Sequence, residues 1–239
     1  MRKFFKYILF LAAVLILPVG AKACPVSVTI TATNEETGQS QVVTLGGETS
    51  LDIITGNSVW AIGSEVPILD GAIESFKLTV NVDPEVGIEF GVRAGGSATT
   101  FKILSTDTEI VSFDPLVNPT AYASAGITLT DRTPTAGAAI TGLFDGGKTH
   151  QARYNGSTVF ANLVDGFSIS SGTLTASEDK PLSGSQIISG TVTSIESEFR
   201  FTLSARDSAS GTSTFEVVPE PATIALLGLG ALSLIRRKK

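Results

Sequence analysis

The chain has 239 residues and a formal net charge of −6, with 17 Lys and Arg against 23 Asp and Glu, one histidine and one cysteine. A single cysteine excludes an intramolecular disulfide whatever the redox compartment, and a single histidine excludes a multi-histidine metal site. An acidic surface repels phosphates, so nucleic acid is excluded as an expected partner.

The N-terminus carries Arg2, Lys3 and Lys6, then an apolar run over residues 7–19, then the small-residue site Ala21-Lys22-Ala23. This order is that of a secretory signal peptide: an apolar helix enters the bilayer, the basic end stays cytoplasmic, and cleavage at the site formed by Ala21 and Ala23 leaves a mature chain beginning at or near Cys24. A bacterial lipoprotein would place its lipid on a cysteine at this position. Here Ala21 stands where a larger aliphatic is expected and Lys22 is charged, so the competing reading is a free cysteine at a chain end.

Residues 24–219 contain nine Lys and Arg against 22 Asp and Glu, a net charge near −13, and 51 of these 196 residues are Ser or Thr. Thr favours strands and Ser with Gly supplies turns. Alternation with a period of two appears at residues 26–31, 73–82 and 198–204; in the last, Phe199, Phe201 and Leu203 oppose Glu198, Arg200, Thr202 and Ser204. Further strands are expected at 40–45, 50–55, 86–93, 98–104, 108–113, 126–130, 149–154, 157–163, 167–170, 173–177, 186–193 and 212–218. Turns are expected at Gly46-Gly47, Asp70-Gly71, Gly95-Gly96, Asp145-Gly146-Gly147, Asn155-Gly156 and Asp165-Gly166. Asn155-Gly156 has the pattern of a two-residue type I′ hairpin. The fold class expected is all-β, an antiparallel β-sandwich of jelly-roll-like kind. One domain is favoured; Asp114-Pro115 and Asn118-Pro119 mark an alternative split near 115–120. Residues 171–177 and 189–194 echo each other at a spacing that suits equivalent strands, without the three units of a solenoid.

Little in this body points to catalysis. His150 lies in an expected hairpin strand, where an exposed structural residue is the simpler reading, and no G-x-S-x-G elbow accompanies it. Paired carboxylates for glycoside hydrolysis could come from Asp83, Glu85 and Glu89, or from Glu196 and Glu198 on one strand face; such pairs are also ordinary on the wet face of an acidic sandwich. Asp83-Pro84-Glu85 and Asp145-Gly146-Gly147 read as turns, and no EF-hand loop is present, so no metal and no cofactor is expected. Trp60, Tyr122 and Tyr154 offer the side chains of a sugar-stacking platform, although a lone Trp is commonly core. Asn155-Gly156-Ser157 matches a glycosylation acceptor.

The chain finishes with Val218-Pro219-Glu220-Pro221, an apolar run over residues 222–235, and Arg236, Arg237, Lys238 and Lys239. As a helix the 14-residue run would rise roughly 21 Å against a hydrocarbon core of about 30 Å, short for a permanent span. The basic cluster serves as a stop-transfer signal. Pro219 and Pro221 fix φ, deny backbone donors and push their preceding residues toward extended backbone. This ordered tripartite ending resembles the PEP-CTERM sorting signal of Gram-negative bacteria that make exopolysaccharide. The resemblance covers about the last 22 residues. It implies recognition by an exosortase, a membrane-embedded cysteine-protease-like enzyme, with transient membrane anchoring and cleavage near Pro219, Glu220 and Pro221.

The expected organisation is therefore a signal peptide at 1–23, a Ser/Thr-rich β-sandwich at 24–217, and a sorting signal at 218–239 with a transmembrane helix at 222–235. The expected function is that of a non-catalytic protein, exported through the inner membrane and sorted to the cell surface or extracellular matrix. A carbohydrate-binding module acting on exopolysaccharide is the alternative, and a glycoside hydrolase a more distant one.

Overall fold

The computed structural model describes residues 25–48, 57–81, 84–105, 112–133 and 136–218. The expected strand at 50–55, the start of that at 108–113, Asp83, and both terminal helices lie outside these residues. So do Ala21, Ala23, Cys24, Pro219, Glu220, Pro221 and the basic cluster at 236–239.

Within the described residues the chain forms strands throughout, with no helix. In chain order they are β1 (Pro25–Asn34), β2 (Ser40–Glu48), β3 (Asn57–Ala61), β4 (Val66–Ile68), β5 (Gly71–Asn81), β6 (Glu85–Arg93), β7 (Thr99–Leu104), β8 (Ser112–Val117) and β9 (Thr120–Thr130). Then follow β10 (Ala138–Gly142), β11 (Lys148–Tyr154), β12 (Thr158–Asp165), β13 (Phe167–Ile169), β14 (Thr173–Lys180), β15 (Gln186–Ile187), β16 (Thr191–Leu203) and β17 (Ser208–Val218).

Two antiparallel sheets result. The first runs β12-β11-β16-β7-β1-β2, with β10 and β8 also paired to β16 and β13 to β10. The second runs β14-β9-β17-β6-β5-β3, with β15 on β9 and β4 on β5. Each sheet is wet on one face, which explains the alternation read in the sequence. Along β9 every second residue from Ala121 to Leu129 is buried, and the intervening ones are half-exposed.

The buried faces meet in an aromatic layer. Phe90 of the second sheet touches Phe199 edge-on at 4.8 Å between ring centroids and stacks on Phe201 at 5.8 Å, both from the first sheet. Phe160 and Phe215 stack across the same gap at 5.3 Å. Gly211 makes room for this: a Cβ there would lie 2.5 Å from the Phe90 ring. Aromatic pairs of this geometry add about 0.5–1.5 kcal/mol beyond area burial.

Strands from either side of residues 115–120 share both sheets, since β7 pairs with β16 and β6 with β17. The prolines there interrupt the sequence pattern without dividing the sandwich. Gly46-Gly47, expected as a turn, lies within β2 opposite Ser27 and Val26. The expected strand 186–193 is broken. Gln186 and Ile187 pair with β9 in the second sheet, and from Thr191 the chain runs in the first, crossing at Gly190 with φ of +99°. The two echoed segments are not equivalent, because β14 is an edge strand of one sheet and β16 is central in the other. At Asn155-Gly156 both residues are left-handed (φ +51° and +77°), as type I′ chemistry requires. The flanking pair is Tyr154 with Thr158, so the loop takes three residues, beside a register shift after Ala152.

Candidate functional site

β17 delivers the sorting segment. It is a central strand, paired with β6 on one side and β9 on the other, and its register continues to Val218 opposite Thr120. Val217 N also donates to Pro84 O at 2.8 Å. Pro219 follows immediately in the sequence. A proline has no N–H to give to a ladder and is poorly placed in a central strand. Val218, the first residue of the expected sorting signal, is also the last residue of β17.

His150 corrects an expectation. It is fully buried between the sheets, not exposed. Its Nε2 lies 2.9 Å from Ser197 Oγ, and Ser197 Oγ lies 2.9 Å from Ser213 Oγ on the opposite sheet. The ring rests on Phe199 at 4.7 Å. Ser105 Oγ accepts from Ser197 N and donates to Ser197 O, fixing that serine's backbone. His150 Nδ1 has no hydrogen-bond partner. Burial lowers the imidazole pKa to about 3, so the ring is neutral. A serine beside a histidine has the makings of a nucleophile pair, but this one is sealed from solvent and bridges the two sheets instead. The strand pattern carries the signal for its burial: His150, Ala152 and Tyr154 share one face, while Gln151 and Arg153 share the other.

The paired carboxylates are held by cations. Glu196 and Glu198 do project from one face of β16, and both reach Arg153 Nη2, at 2.9 and 3.0 Å. Lys102 Nζ adds a contact to Glu198 at 3.8 Å, and the Glu198 side chain is only 4% exposed. Glu89 pairs with Lys77 at 2.6 Å, and Glu85 accepts from Asn81 Nδ2 at 3.5 Å. Replacing Arg153 by Met is expected to lower unfolding free energy by about 3 kcal/mol, because it leaves a buried carboxylate without its main partner. Adding Glu198→Gln should recover most of that loss in denaturant titrations, whereas a variant as stable as the parent would show the cluster to be a loose surface pair.

The aromatic residues do not assemble into a platform. Trp60 on edge strand β3 packs toward Phe76 at 6.1 Å and against the core. Tyr122 lies on β9, four strand spacings or roughly 19 Å away across the second sheet, and Tyr154 belongs to the first sheet. The Asn155 side chain is engaged: Nδ2 donates to Thr191 O and Oδ1 accepts from Thr193 N, each at 2.8 Å. Among the described residues no group of three or more His, Cys, Asp or Glu is placed to hold a metal ion. A shallow depression of about 540 Å³ is lined by Gly142, Gly146, Gly147, Asp165, Gly166 and Phe167 among others. Its one carboxylate, Asp165, is paired with Lys148 at 3.1 Å.

Among the described residues no helix is long and apolar enough to cross a membrane. The family profile of the PEP-CTERM protein-sorting motif matches residues 217–239. No curated protein matches the chain. Two solved structures share distant likeness. One is the enzymatically active domain of tailspike protein 4 of bacteriophage CBA120, with TM-score 0.28 and 11% identity over 69% of this chain and 20% of that one. The other is a structure of infectious bursal disease virus, Gx strain, with TM-score 0.24 and 9% identity over 84% of this chain and 64% of that one. The chain thus spans a fifth of the first and less than two thirds of the second, and neither likeness bears on its chemistry.

Proposed function

We propose, from the match of residues 217–239 to the PEP-CTERM protein-sorting motif, that the chain is exported and sorted through an exosortase and that its body is a non-catalytic structural cargo delivered to the cell surface or extracellular matrix. The proposed organisation is a signal peptide at 1–23, the sandwich at 24–217 and the sorting signal at 218–239. Pro219, Glu220 and Pro221 form the processing motif, residues 236–239 the stop-transfer cluster, and Ala21 and Ala23 the signal-cleavage site.

The observation that carries the reading is the join between β17 and the motif. The matched motif begins at Val217, inside central strand β17, so the strand's last two residues, Val217 and Val218, already belong to it and no linker separates the two. A non-catalytic body is supported by where its reactive groups are spent. His150 is sealed against Ser197, and Glu196 and Glu198 share Arg153.

Mass spectrometry of both ends of the exported protein tests this. The expected mature chain begins at or near Cys24 and ends upstream of Ala222. An exported chain that still carries Lys239 would overturn the sorting reading.

A further inference from the structure

The chain leaves the sandwich with almost no slack. Only residues 219–221 separate Val218, the last residue of β17, from the apolar run at 222–235. Four Cα-to-Cα steps reach at most about 14 Å, and the headgroup layer on one side of a bilayer takes roughly 5–8 Å of that. When the run is in the membrane, the end of the sandwich bearing Val218 must lie at the interface.

That end gathers four of the nine large hydrophobic side chains exposed among the described residues. Thr120 of β9 has Val218 beside it on β17 and Ile187 beside it on β15, so the three share one row and one face. Val117 pairs with Thr191 just beyond, and Asn118 N donates to Gly190 O at 2.7 Å, tying the two crossing segments together. Leu182 sits on the excursion between Lys180, opposite Ala123, and Gln186, opposite Ala121. These apolar side chains are open: Leu182 is 89% exposed, Val117 65%, Ile187 58% and Val218 38%.

Charge is sparse there as well. Residues 115–130 and 181–195 contain no Asp, Glu, Lys or Arg, in a body whose net charge is near −13. The charges that border this face are Asp179, hydrogen-bonded to Tyr122, and Lys180 on β14, together with Glu85 and Glu216, which are register partners two residues back from Val218, about 7 Å farther from the tail. Tyr122 occupies the same row as Glu216, at the level where aromatic residues favour a membrane interface.

We propose that this end of the sandwich is a lipid-contacting face, with Val117, Leu182, Ile187 and Val218 set against the interfacial layer of the bilayer that holds the tail. The proposal rests on the reading of the tail as a membrane-inserted sorting signal. An acidic body brought this close to anionic headgroups would be repelled, and an uncharged apolar rim removes that repulsion where the approach is closest. Four side chains make a shallow contact that does not anchor a protein alone. The face therefore orients the body and presents residues 219–221 at the membrane surface while the tail is present, and it releases once the tail is removed.

The test uses the full chain reconstituted in vesicles of phosphatidylethanolamine and phosphatidylglycerol, with a photoactivatable diazirine side chain placed at Leu182, Ile187 or, as control, Leu174. Leu174 is also exposed but pairs with Leu129 toward the other end of β9. On illumination, lipid adducts at 182 and 187 are expected to exceed those at 174 by about tenfold, the ratio of a contact favoured by about 1.4 kcal/mol. Equal labelling at the three positions, or adducts to a second copy of the chain in place of lipid, would overturn the proposal while leaving the tail's role intact. A carbonate wash of the same vesicles separates the two readings, because a chain that washes off would overturn the membrane role of the tail and this face with it.

Discussion

Acidification is expected to destabilise the sandwich through His150. An imidazole that folds with its pKa lowered to about 3, against an ordinary value of 6.5, binds fewer protons folded than unfolded across that interval. Stability therefore rises with pH in this window and is lost as pH falls below about 6.5. The slope is about 1.4 kcal/mol per pH unit, giving a loss of about 3 kcal/mol by pH ~4 and about 4–5 kcal/mol in full. A domain of this class holds about 5–15 kcal/mol in total, so the loss is large.

The physical cause is burial: a charged ring would sit between the sheets against Phe199, with Ser197 Oγ as its hydrogen-bonding neighbour. His150→Gln keeps a side chain able to reach Ser197 and removes the titration. Urea unfolding of both proteins from about pH 7 to about pH 4 should show the parent's profile falling more steeply. The carboxylates titrate in both proteins and drop out of the difference. Parallel profiles would mean that the ring gains a proton in the folded state without cost.

Replacing Pro219, Glu220 and Pro221 by alanines in the full chain is expected to slow tail removal by about tenfold or more, each factor of ten being about 1.36 kcal/mol of lost transition-state stabilisation. Pulse-chase fractionation should find the protein held in the membrane fraction with its tail intact. Two effects contribute. Alanines lift the restriction that the prolines place on their own and preceding residues, so the segment is no longer biased toward extended backbone. They also restore N–H groups next to Val218, where β17 is already paired with β9 and β6, and so permit the strand to run on. Glu220→Gln alone separates the charge from the backbone contribution. Unchanged processing of the triple variant would remove the motif's role.

The lipid-facing rim and the sorting motif bear on each other. With three residues between strand and apolar run, the body cannot turn freely relative to the membrane. Lengthening that interval with a flexible insert would relax the orientation without touching the motif itself.

The sequence by itself determined the chemistry of the ending, because Pro219-Glu220-Pro221, the apolar run and the basic cluster are contiguous and need no partner to be read. It likewise determined the all-β class and the buried faces of strands such as β5 and β16, since a period of two is a local property of the chain. What it left undecided depended on pairing between distant residues. Alternation says that Glu196 and Glu198 share a face, but only the register of β16 on β11 sets Arg153 beside them. Alternation along β11 puts His150 on the face of Ala152, but only the pairing of the two sheets sets Ser197 and Ser213 around it, from strands far along the chain. In the same way Val117, Leu182, Ile187 and Val218 are four scattered aliphatics until β9, β15 and β17 bring them to the end where the tail departs. Local periodicity fixes which way a side chain points; long-range strand register, set by packing of the two sheets together, fixes what it meets.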